Sequence, residues 1–258
     1  MLLRTILEDE FRFLTFRAPS SAIREHSGAY LAFGLFLTWA AGVGRYWDTD
    51  EAALWQHLGL GSLAYAFLMA LILWLLVAPL GPKNWSYRNV LLFVALTAPP
   101  ALLYAVPVEL WVSPATALAI NSVFLAIVAA WRVSLLVVFL KRVACLRGSA
   151  ILAAALLPLA AIVDVLAFLN LGDAVYATMA GLQNASGSAT QMHYEVVHFI
   201  SVLSTVMTPA ILALYGWMAH AARAAHRTNT AMNDSRLISC DAGRVAAHRA
   251  SQSCVAMP

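Results

Sequence analysis

Two charged residues sit where charge is costly. Arg132 and Asp164 each fall inside a long apolar run. An ionised side chain in the middle of a membrane-spanning helix costs about 2.5–3.5 kcal/mol on insertion scales. Arg132 lies nine residues before Lys141, about 13 Å along a helix. Asp164 lies fourteen residues past Ala150, about 21 Å along the next one. On antiparallel neighbours the offset is about 8 Å, which a long arginine side chain can close. Three chemistries follow. Arg132 and Asp164 form a structural ion pair; or Arg132 snorkels toward the surface while Asp164 is protonated or faces a polar cavity; or the two line a substrate or proton site. Asn121 stands eleven residues before Arg132, close to three helical turns, so it shares that face. Arg132, Asp164 and Asn121 are the candidate intramembrane polar pair or ligand site. Ser201, Ser204, Thr205 and Thr208 form a second polar face at helical spacing, of the kind that packs helices closely.

A metal reading attaches to His193, Glu195 and His198. The two histidines are five apart, about 140° around a helix, and do not share a face as a zinc pair at i and i+4 does. Glu195 and His198 have the i, i+3 spacing of carboxylate-bridged sites, which need a second such pair and further carboxylates. The expectation is no metal. No phosphate-binding Gly-rich loop, Gly-x-Ser-x-Gly turn or Cys-x-x-Cys is present. Nothing calls for a cofactor or points to catalysis.

The elements that carry these residues follow from composition. The 258 residues are 62% hydrophobic and 11% charged, against roughly 25% charged in soluble domains. Three cysteines cannot build a disulfide framework. A formal charge of +3, scattered along the chain, provides no basic stripe for nucleic acid. Six stretches approach the roughly 20 apolar residues that a bilayer crossing needs: 29–44, 58–80, 90–106, 115–140, 150–171 and 196–219. The runs are continuous rather than alternating, which favours helices over a barrel. Pro99-Pro100 and Pro209 should kink the third and sixth. The predicted fold is an all-α polytopic transmembrane helix bundle of six spans over 28–222. An interfacial segment (1–27) precedes it and a disordered tail (223–258) follows.

Basic residues orient the bundle. Lys and Arg number four, one, two, none, three, none and five in the successive segments outside the spans. Cytoplasmic loops collect Lys and Arg, so both termini are predicted to be cytoplasmic. Arginine outnumbers lysine fourteen to two and alanine is abundant, a composition associated with GC-rich bacterial genomes; the expected location is a bacterial inner membrane. Cys145, Cys240 and Cys254 then face a reducing compartment and form no disulfide.

The first residues lack the pattern of a signal peptide. Leu3, Ile6, Leu7, Phe11, Phe13 and Leu14 give an apolar stripe, with Arg4, Glu8, Asp9 and Arg12 as the polar counterpart. This fits a helix lying on the inner leaflet. Asn184-Ala185-Ser186, in a long loop, matches a glycosylation acceptor of low specificity.

The proline-bearing third span, Ala98-Pro99-Pro100, within a compact helical unit whose ends are cytoplasmic, resembles bacterial members of the Yip family of Rab-interacting membrane proteins. The resemblance covers about residues 28–220. The family's acidic Asp-Leu-Tyr-Gly-Pro-Leu-Trp segment is absent, and its usual span number is five. The resemblance implies membrane organisation or trafficking and carries over no functional residue. The expected function is a non-enzymatic integral membrane protein that organises lipid or partner proteins, with the bilayer, further copies or membrane proteins as partners. A small transporter or channel built on Arg132, Asp164 and Asn121 is the alternative.

Overall fold

The computed structural model describes residues 1–46, 53–106, 108, 111–146, 148–169 and 198–224. Nine helices carry them: α1 (Leu2–Leu14), α2 (Ala22–Glu25), α3 (Ser27–Tyr46), α4 (Leu54–His57), α5 (Leu60–Val77), α6 (Tyr87–Leu96), α7 (Pro114–Arg142), α8 (Gly148–Phe168) and α9 (His198–Ala224). Among the described residues there is no strand.

Five of these stretches are long and apolar enough to cross a membrane: Ser27–Gly44, Leu60–Leu80, Ala119–Arg142, Gly148–Phe168 and His198–Ala224. The third predicted span is different. Its chain is helical only to Leu96, then continues as a 3-10 stretch from Pro99 to Ala105. Proline supplies no N–H and clashes with the preceding turn, and two in succession end the helix where a kink was expected. Ten α-helical residues rise about 15 Å, and seven 3-10 residues about 14 Å.

Helix ends follow local chemistry. Ser86 caps α6 by accepting from Asn89 N–H at 3.2 Å, and Ser113 caps α7 by accepting from Thr116 N–H at 3.4 Å. Past α5, Pro79 sits in a 3-10 turn closed by Gly81 at φ +68°, a left-handed conformation that glycine adopts without a Cβ penalty.

The broken helix is the centre of the molecule. Val90, Leu91 and residues 93–98 are all buried. Around them lie Ala66, Ala70, Leu73 and Val77 from one face of α5, Leu135, Leu136, Phe139 and Leu140 from α7, and Ala150, Ala154 and Ala155 from α8. Phe93 stacks on Phe139 with ring centroids 4.2 Å apart. Helix α3 approaches α6 through Gly34, where a Cβ would stand 2.9 Å from Ala95 Cβ and 3.0 Å from the Ala95 carbonyl carbon. The long helices turn apolar side chains outward, among them Phe36, Leu68, Val123, Val165, Phe199, Val206 and Trp217. A water-soluble fold would bury such residues; hydrocarbon solvates them.

Candidate functional site

Arg132 meets the break in α6. Thr97 is the residue that closes α6. Its carbonyl would normally accept from the amide four residues on, but Ala101 N–H turns instead to the Ala98 carbonyl at 2.9 Å. Residue 100, three positions on, is proline and has nothing to donate. Arg132 Nε donates to that freed Thr97 carbonyl at 3.1 Å. The guanidinium charge also stands at the negative end of the α6 dipole. Thr97 itself is buried, and its hydroxyl donates to the Val94 carbonyl at 2.7 Å.

Asp164 belongs to a different seam. From α9, Thr208 donates to Asp164 Oδ2, and Thr205 Oγ1 lies 3.5 Å from Asp164 Oδ1. One turn away, Ser204 donates to the Ala160 carbonyl at 3.3 Å, and Ser149 Oγ lies 3.3 Å from Met218 Sδ. Ser149, at the start of α8, meets Met218 near the end of α9, whereas Ala160 and Asp164, further along α8, meet residues 204–208, so α8 and α9 pack antiparallel. The predicted hydroxyl face of the last span is the face that meets Asp164.

Of the three arrangements open to Arg132 and Asp164, the ion pair is not the one formed: each side chain bonds to another helix, and the one ion pair among the described residues is Arg4–Glu8 at 2.9 Å. Asn121 is half-buried on α7, about 16 Å along the axis from Arg132, too far to share a ligand with it directly. Of the metal candidates, His193 and Glu195 lie outside the described residues, as do the glycosylation motif, Cys240, Cys254 and most of the predicted tail. His198 opens α9 and is exposed. No three His, Cys, Asp or Glu side chains converge among the described residues.

A third polar cluster holds α1. Asp9, one of the polar residues opposite the apolar stripe, is buried, 3% exposed. Its Oδ2 accepts from the Tyr30 hydroxyl and from Ser20 Oγ, both at 2.6 Å, and its Oδ1 accepts from Ser20 N–H at 2.8 Å. Burial pushes the Asp9 pKa up, but those donors, together with Arg12, outweigh it and hold the carboxyl below its ordinary value. The other end of α1 is fixed by α7. Trp131 Nε1 donates to the Leu14 carbonyl at 3.0 Å, and Arg142 donates to the Phe16 carbonyl at 2.8 Å. Phe13 meets Phe93 edge-on at 6.1 Å.

Helix α1 thus has three faces. Leu3, Leu7 and Phe11, one turn apart, are exposed and apolar; Arg4, Glu8 and Arg12 are exposed and charged; Ile6, Asp9 and Glu10 are buried against the bundle. Its exposed surface thus sets an apolar stripe beside a charged one.

No family model matches this chain, and no curated protein and no solved structure matches it.

Proposed function

We propose that this is a non-enzymatic, multi-pass integral membrane protein that organises lipid or partner proteins around a rigid helical scaffold. In this reading α6 and its 3-10 continuation make the sixth crossing. Both termini lie on the cytoplasmic side of a bacterial inner membrane, as the alternation of basic residues argues. The Yip-family resemblance implies the same kind of role.

One observation supports the scaffold reading over the transporter or channel. Arg132 and Asp164 serve separate helix pairs, α7–α6 and α8–α9, through bonds to a backbone carbonyl and to threonine hydroxyls. Polar residues used this way hold helices together; a transport site would gather them around one ligand. The three-faced α1 adds a surface for the bilayer, with exposed Leu3, Leu7 and Phe11 to enter the headgroup boundary and Arg4 and Arg12 to meet anionic lipid.

Thiol accessibility tests this. In a chain with Cys145, Cys240 and Cys254 changed to serine, single cysteines at Thr97 and Ser204 report on the two seams while leaving both charges in place. The scaffold reading expects protection from a membrane-impermeant reagent at both positions in intact cells and in inverted vesicles. Labelling at either from one side would establish a water path to the charges and put the transporter in its place.

A further inference from the structure

Glu10 is the one described residue whose buried carboxylate oxygens have no hydrogen-bond partner. It is 6% exposed, on the bundle side of α1 next to the apolar face of Leu3, Leu7 and Phe11. Its neighbour Asp9, 3% exposed, receives three hydrogen bonds.

Among the described residues, no basic group pairs with Glu10. Of the ionisable groups on the elements packed against α1, Tyr30 of α3 donates to Asp9, Arg132 of α7 to Thr97 and Arg142 of α7 to Phe16. Arg24 and Glu25 of α2, His26, Arg88 of α6 and Lys141 of α7 are exposed. On α1 itself, Arg4 pairs with Glu8, and Arg12 is exposed and acts on Asp9. An ionised Glu10 here is a buried, unpaired charge, one of the costliest arrangements in a protein.

The attachment of α1 is also lopsided. Leu14 and Phe16 are fastened to α7, and Phe13 packs on Phe93. Toward the N-terminus the helix is held by Ile6, Glu10 and the Asp9 cluster, and residues 1–4 are exposed. The bonds to α7 are thus confined to the C-terminal end of the helix.

We propose that Glu10 is a proton-operated latch: protonated, it lets α1 lie against the bundle, and on losing its proton it frees the N-terminal part of the helix about the Leu14–Phe16 anchor. Released, that segment carries Leu3, Leu7 and Phe11 away from the scaffold. Burial, the sole cause acting, raises the carboxyl from its ordinary 4.5 to about 8. The sign follows. The docked state binds the proton more tightly than the released state. Docking is thus strongest below about 4.5, weakens about tenfold per pH unit up to about 8, and weakens no further above that. The Asp9–Tyr30 bond opposes release, so its loss moves release to lower pH.

The test uses the full chain without its native cysteines, in phosphatidylcholine–phosphatidylglycerol vesicles. Nitroxides sit on cysteines introduced at the exposed positions Leu3 and Val137. The expected result is a narrow label-to-label distance at about pH 5 that lengthens and broadens toward about pH 8. In Glu10→Gln the narrow distance persists throughout, and in Tyr30→Phe the change comes at lower pH. Glu10→Leu, which needs no polar partner, gives the same persistence should the glutamine variant not assemble. A parent distance that is unchanged across this range, or a transition that survives in Glu10→Gln or Glu10→Leu, overturns the latch.

Discussion

Trp131 and Arg132 are consecutive on α7 and hold different elements: the indole donates to the carbonyl that ends α1, and the guanidinium donates to the carbonyl that ends α6. Neighbours on a helix point about 100° apart, so one turn of α7 reaches both a surface helix and the core. This makes the middle of α7 the point where the bundle is tied together.

Removing the Arg132 side chain should therefore cost more than a lipid-facing change. Arg132→Met leaves the Thr97 carbonyl without its donor and is expected to cost about 1–3 kcal/mol. Thermal unfolding in detergent, compared with Val123→Ala as a control, measures this. Arg132→Lys should recover part of the loss, since an ammonium can reach a carbonyl but without the guanidinium geometry. The cost should shrink when Pro99 and Pro100 are both alanine, because the Ala101 amide can then return to Thr97. An undiminished cost in that background would mean that Arg132 acts through something other than the break.

The close approach of α3 and α6 gives a second expectation. Gly34→Ala brings its methyl to 2.9–3.2 Å from Ala95 and Leu96 atoms, two of them backbone. It should destabilise the fold by about 1–3 kcal/mol. Gly216→Ala on α9, with nothing within 4 Å of the new atom, should be neutral or stabilising by up to about 1 kcal/mol. Equal melting points for the two variants would place the α3–α6 contact elsewhere.

Asp9 makes the anchoring of α1 dependent on acid. Its carboxyl is held below the ordinary 3.8, so its stabilising contribution is present above that value and is lost as pH falls through the lowered one. Tyr30→Phe removes one donor to this carboxylate and should cost about 1.5–3 kcal/mol at neutral pH. The gap between parent and variant should narrow by about pH 3. Urea titrations at both pH values read this, and a constant gap would show that Tyr30 stabilises by packing alone.

The helices were legible because membrane spans announce themselves as uninterrupted apolar runs, and the face of Ser201, Ser204, Thr205 and Thr208 was legible because helical spacing places it. The partners were harder. Pairing Arg132 with Asp164 treats charges as seeking opposite charges. Here the acceptor is a backbone carbonyl that two prolines release, and that acceptor has no letter of its own. Pro99-Pro100 was the signal available: a double proline inside a span means orphaned carbonyls, and the nearest buried donor is their natural partner. On α1 the apolar stripe was visible, but its width was not. Asp9 and Glu10 look like solvent-facing residues until a bundle covers them, and only the fold brings Ser20 and Tyr30 to one carboxyl and leaves the other bare.

Thr97 and Arg132 stand 35 positions apart in the chain, which sets a schedule for synthesis. If α6 is the sixth crossing proposed above, the carbonyl at its end enters the membrane before the arginine that satisfies it has been made. Until α7 follows, α6 is a short helix with an exposed polar end, ill suited to lie alone in lipid. The insertion machinery must then shelter it, and α6 and α7 should leave the translocon as one hairpin rather than as two successive helices. Nascent chains arrested just before Arg132 would hold the Thr97 carbonyl without its donor.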